Sequence, residues 1–153
     1  MTAPCIVPCG KAKAWDRYPD LGPVPAREAY TGPLAVATRR YAQRFHPCWF
    51  VLSAKHGLLR PDDLVPGPYE VSFSRHGDHV ISDRELRDQC AALGLDGEPE
   101  VVVLAGRRYV ARVRAALPNV RLHAPLAGQG LGMMLRSLAR AVRDNVPLVG
   151  VER

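Results

Sequence analysis

The sequence predicts an α/β fold: a single domain over residues 1–153, with a mainly parallel sheet of about four or five strands and helices on both faces. Three observations predict it. Short apolar, β-branched or aromatic runs alternate four times with stretches of helical character. Each run is followed by glycine-bearing polar residues, where a strand hands over to a crossover. A chain of 153 residues, 47% apolar and 24% charged, makes one ordinary domain with its own core.

The elements follow in order. Residues 3–8 (APCIVP) are an apolar run ending at Cys9-Gly10, a buried first strand and its turn. A loop rich in Pro and Gly covers 15–25. Thr31 reads as a helix N-cap with Pro33 in the first turn, where a missing N–H does no harm. Leu34, Ala37, Thr38, Tyr41, Ala42 and Phe45 then share one helix face. Residues 48–53 (CWFVLS) are the second strand, and 54–79 a long loop of the kind that carries function. Ser82 and Glu85 form a capping box for a helix over about 83–93 that stops at Gly94. Residues 100–105 (EVVVLA) are the third strand, and Gly106, Arg107, Arg108 and Tyr109 turn into a short helix ending near Leu117 and Pro118. Residues 120–123 are the fourth strand. The last helix runs from near Gly130 to about Asn145, and the apolar tail over 146–153 reads as an edge strand or a partner contact.

Composition narrows the class. No apolar run reaches the ~18 residues of a transmembrane helix, and the start MTAPCIVPCGKAK lacks the basic and apolar regions of a signal peptide. The expected location is the cytoplasm, with no membrane partner. Cys5, Cys9, Cys48 and Cys90 lack a framework spacing and are expected to be reduced. Cys5 and Cys9 with the distant His76 and His79 do not make a zinc-ligand pattern, so no metal or cofactor is expected. The formal net charge is +6 and is unevenly placed: nine basic against three acidic residues over 1–60, three against ten over 61–100, and nine against two over 101–153. Such a field favours anionic partners: an anionic small molecule such as a nucleotide, or nucleic acid.

Eighteen of the 21 basic residues are arginine, so the three lysines stand out: Lys11, Lys13 and Lys55, in the motifs PCGKAK and SAKHG. Lysine differs from arginine in being a compact ammonium whose pKa moves readily. In a parallel sheet every strand-to-helix loop emerges at one edge, where α/β folds bind ligands. That edge would gather Cys9, Gly10, Lys11 and Lys13 after the first strand, and Ser53, Lys55, His56 and Gly57 after the second. Gly106, Arg107 and Tyr109 would join after the third, and Gly130 after the fourth. Backbone N–H groups at helix starts and close-approach glycines suit an anion. Gly128-x-Gly130-x-Gly132 lacks the dinucleotide spacing and reads as a turn before the last helix. Arg107 and Arg108 are either anion ligands or a solvated helix face, and Asp62 and Asp63 either a carboxylate for acid/base work or a turn after Pro61.

PCGKAK, YTGPL, VLSAKHGLLRPDDLVPGPYE, VVVLAGRRY and PLAGQGLG together resemble the DUF6884 family and, more distantly, the YaaA (DUF328, peroxide-stress) family. The most specific stretch is 52–69, with Gly57-Leu58-Leu59, Pro61, Asp63 and Pro68-Tyr69. The Pro-Cys-Gly-Lys segment also resembles a short motif of archaeosine synthase, which acts on a modified tRNA base. The resemblance implies nucleic acid or its components as the target. On it rests the expectation of an enzyme acting on a nucleotide or nucleobase, with the N-glycosidic bond as the reaction centre. Lys11 is then the candidate nucleophile or electrostatic catalyst, His56 the general acid, and Asp63 the carboxylate that orients water. Gly106, Arg107 and Gly130 would hold phosphate, Tyr69 or Tyr109 would stack on the base, and Cys9, Gly10, Lys13, Ser53, Lys55 and Gly57 would complete the binding rim. The competing expectation is a non-catalytic nucleic-acid-binding protein of the stress response, with arginines on phosphates.

Overall fold

The computed structural model describes residues 2–73 and 80–149. Strand β1 (Cys5–Pro8) is followed by a 3₁₀ turn (Ala14–Asp16), the two-residue strand β2 (Val24–Pro25) and the one-turn helix α1 (Ala26–Ala29). Helix α2 (Pro33–Phe45) leads to β3 (Trp49–Ser53), which folds back into β4 (Gly57–Leu59) and then β5 (Leu64–Val65). Helix α3 (Asp83–Ala92), a 3₁₀ turn (Leu95–Gly97), β6 (Glu100–Val103), α4 (Arg107–Ala116), β7 (Arg121–His123) and α5 (Leu131–Asp144) complete the order.

The main sheet has the order β4-β3-β1-β6-β7. All pairings are parallel except β3 with β4, so the predicted α/β architecture stands. Strands β1 and β3 are buried at every position and β6 at three of four, as both-face coverage by helices demands. Successive side chains alternate between two cores. Val7, Val51 and Val102 meet Tyr41 and Ala42 of α2 and Met134 and Leu138 of α5. Ile6, Phe50, Leu52 and Val103 meet Leu86 of α3 and Val110 and Val113 of α4. The chain leaves β1 toward β3, then returns across β1 to reach β6. Connections therefore reverse direction at β1 and β6, which opens a crevice at their carboxyl ends.

Several boundaries differ from expectation. The N-cap of α2 is Gly32 rather than Thr31, although Pro33 does take the first helical position. The supposed loop over 54–79 contains β4 and β5, and β5 pairs antiparallel with β2 in a small second sheet. Their brevity hides them, since two or three residues show no alternation. His76 and His79 lie outside the described residues. The capping box forms: Ser82 Oγ accepts from Glu85 N at 3.1 Å, and Glu85 Oε1 accepts from Ser82 N at 3.3 Å. The described part of the tail is not an edge strand. It packs on α2, with Leu148 N donating to the Tyr41 hydroxyl at 2.8 Å. All four cysteines are free, with Cys5, Cys9 and Cys90 buried. Among the described residues no helix is long and apolar enough to cross a membrane.

Candidate functional site

Ser53 ends β3 at the carboxyl edge, and its Oγ collects the next turn. It accepts from the backbone N–H of Lys55 at 3.2 Å and of His56 at 3.0 Å, and lies 2.6 Å from the Tyr69 hydroxyl. The Tyr69 hydroxyl in turn lies 2.6 Å from that of Tyr30. All three side chains are buried. Tyr30 follows α1 and bridges to Lys13, and Tyr69 follows β5, so the irregular region between β1 and α3 delivers the hydroxyls. Burial raises both phenols, Tyr30 to about 12 and Tyr69 further, so both stay protonated.

Lys13 is only 4% exposed. Its Nζ donates to the Lys11 carbonyl at 2.8 Å and sits 4.4 Å from the Tyr69 ring centroid. Burial, helped by the charge of Lys11, lowers its pKa, and Cys9, Asp16 and Glu70 oppose the shift. No carboxylate forms an ion pair with it among the described residues. Lys55 Nζ lies 5.7 Å from the same ring. The His56 ring stands edge-on to it, 5.1 Å between centroids at 87°. Burial and then the Lys55 charge depress the His56 pKa below 6.5, so at pH 7 it is neutral and accepts a proton before it can give one.

Tyr109 closes the crevice between β1 and β6. Its hydroxyl is 3.2 Å from Cys9 Sγ and accepts from Gly10 N at 3.3 Å. Beyond it lies a cleft of about 580 Å³ whose lining includes Gly106, Arg107, Tyr109, Gly128 and Met134. Helices α4 and α5 both start there, capped by Gly106 and Gly130 with no side-chain hydrogen bond and no acidic residue in either first turn.

The structure thus brings Cys9, Gly10, Lys13, Ser53, Lys55, His56, Tyr69 and Tyr109 into one connected group, with Gly106, Arg107 and Gly130 beside Tyr109. Lys11 contributes its carbonyl, while its side chain is exposed. Asp63 sits outside the group. Its carboxylate accepts from Arg60 N at 2.8 Å and its carbonyl from Ala26 N at 2.8 Å, which makes it the anchor of the turn before β5. Gly57 is held by packing: at φ +75° its missing Cβ would lie 2.1 Å from Gln89 Oε1 and 2.4 Å from Ile81 Cδ1. Sequence reasoning did not assign Tyr30 to the site, although it opens the YTGPL motif, because a tyrosine before a helix start shows no periodicity that points it inward. It also missed Gln89, which accepts from Leu58 N at 2.7 Å and donates to the His56 carbonyl at 2.9 Å. Among the described residues no three His, Cys, Asp or Glu side chains are grouped to hold a metal.

Comparison with known proteins places these residues in a family. An uncharacterised protein, YfjM, of Bacillus subtilis (strain 168) is 44% identical over 142 residues, covering 92% of this chain and 95% of the relative. No solved structure matches. The family described as "Family of unknown function (DUF6884)" matches residues 5–140, a span that takes in the whole group from Cys9 to Gly130, and the chain belongs to it.

Proposed function

We propose that the chain is a nucleotide- or nucleobase-directed enzyme that acts at an N-glycosidic bond. The observation that carries the reading is that Lys13 Nζ, with no carboxylate ion-paired to it among the described residues, and the His56 ring both meet the Tyr69 ring at the carboxyl edge of the sheet. Ligand phosphate suits the neighbouring cleft, where two uncapped helix starts and Arg107 supply donors. The resemblance of 52–69 to YaaA-like proteins supports a nucleic-acid component as substrate.

The residues suggest one balanced step. His56 takes a proton from water, whose oxygen bonds to the sugar carbon as the carbon–nitrogen bond breaks. The bonding pair moves onto the base, and Lys13 offsets its charge. Protonated His56 then gives the proton to the departing nitrogen. The catalytic lysine in this reading is the buried Lys13, rather than the solvent-exposed Lys11.

Mass spectrometry of the protein incubated with nucleoside monophosphates, deoxynucleotides and oligonucleotides tests it. Free base should form with the native chain and fall by at least about 10²-fold in both Lys13→Met and His56→Asn. Absence of turnover across the panel overturns the reading. A second reading, non-catalytic nucleic-acid binding, is favoured by exposed arginines on α4 and α5, and predicts affinity that falls steeply with salt.

A further inference from the structure

The buried hydroxyls can be followed proton by proton. A serine hydroxyl has one donor and two acceptor lone pairs. Both lone pairs of Ser53 are taken by the N–H groups of Lys55 and His56, so its own proton goes to Tyr69. One bond remains, between Tyr69 and Tyr30, and it uses one phenolic proton. Two phenols bring two. Whichever way that bond runs, the other tyrosine O–H has no acceptor to itself among the described residues and at most shares Ser53 Oγ with the two N–H groups, in side chains that are 1% and 8% exposed. A buried donor left unpaired costs about 1–3 kcal/mol, so such a group is explained best by a ligand that accepts from it.

Lys13 presents the same shortage. Its ammonium has three donors, of which one is spent on the Lys11 carbonyl, and among the described residues no carboxylate forms an ion pair with it, although the charges of Asp16 and Glu70 act on it from a distance. A buried phenol O–H and a buried ammonium lie at the same ring, and the ammonium can only donate.

We propose that Lys13 and the Tyr30–Tyr69 pair bind an oxo group of the nucleobase, so that the enzyme takes bases with a carbonyl oxygen, such as uracil or hypoxanthine, and rejects adenine. The inference rests on the reading of this edge as the nucleobase site. An exocyclic amino group would set donor against donor at the buried ammonium, which selects against it. A carbonyl oxygen also gathers negative charge as the base departs, so the same contacts strengthen toward the transition state.

The chain has only three lysines, so the side-chain methylene signals of ¹³C-lysine-labelled protein resolve singly in an NMR titration. Uracil and hypoxanthine should shift the Lys13 signal saturably, and adenine or inorganic phosphate should leave it in place. Tyr69→Phe, which keeps the ring beside Lys13, should weaken uracil binding by about tenfold. In turnover assays, uridine and inosine monophosphates should exceed adenosine monophosphate by at least about tenfold, and Tyr69→Phe should shrink that ratio. Equal response of Lys13 to adenine and uracil, or response to phosphate alone, overturns the inference. A uracil-specific shift without turnover sustains it while the glycosidic reading fails, and turnover without base preference does the reverse.

Discussion

Ser53 does at residue scale what no loop residue does alone: one oxygen serves two backbone donors and one phenol. Ser53→Ala strips three partners at once inside a fully buried place. It should lower stability by about 1–3 kcal/mol, seen as a lower urea midpoint with an unchanged slope, and should shift the His56 ring signals in NMR. His46 permits a separate pH prediction. It is 2% exposed, its Nδ1–H donates to the Ala3 carbonyl at 2.7 Å, and its Nε2 has no partner among the described residues. Burial lowers its pKa, as it does for His56. Folding then holds fewer protons than the unfolded chain below the ordinary value of ~6.5, so stability is full above that pH and falls as pH drops toward the depressed values. Urea midpoints measured from pH 8 to 5 should show this decline, and His46→Gln should flatten part of it. Sequence reasoning favoured Lys11 of the PCGKAK motif, whereas the proposed function uses Lys13. Residues 11 and 13 differ in burial, and burial depends on the bridge between Lys13 and Tyr30, a contact that no local pattern encodes.

At element scale, the short strands and α3 fix the loop that carries Lys55 and His56. Gln89 reaches from α3 to both sides of Gly57, and Gly57 leaves it room. Gly57→Ala adds a strained left-handed residue, at about 1–2 kcal/mol, and drives Gln89 from its two bonds. The expected loss of about 2–4 kcal/mol should appear as a thermal midpoint lower by roughly 5–15 °C, with His56 signals displaced. Gln89→Ala should cost less, because it breaks the bonds without the backbone strain. Longer elements were legible: the capping box at Ser82 and the apolar face of α5 carry their own signals. Strands β2, β4 and β5 were not. They exist because Val24 and Pro25 pair with Val65 and Leu64, and because the Ala54–His56 turn folds Gly57 back on Ser53.

Across the whole molecule, the site exists because β1, distant in sequence from β6, pairs with it and with β3 at once. Alternation of strands and helices made that parallel order readable, and with it the edge where loops after β1, β3 and β6 meet. That edge was implied by topology, whereas the phenol chain from Ser53 through Tyr69 to Tyr30 was not. Charge distribution separates the two functional readings at the same scale. Arg136 and Arg140 are exposed on α5 and belong to no contact in the tyrosine group, while Lys13 lies buried. A small nucleotide held by one or two cations should show a shallow dependence of log affinity on log salt, with a slope of about −1 to −2. Duplex bound along arginine-bearing helices should give a slope several times steeper. Replacing Arg136 and Arg140 together by Glu should leave nucleotide affinity and turnover unchanged within about twofold at moderate salt, since screening weakens charges beyond ~10 Å. If that variant instead loses binding to polymer and nucleotide alike, with a steep slope in the native chain, the arginine face is the functional surface and the buried lysine serves the fold.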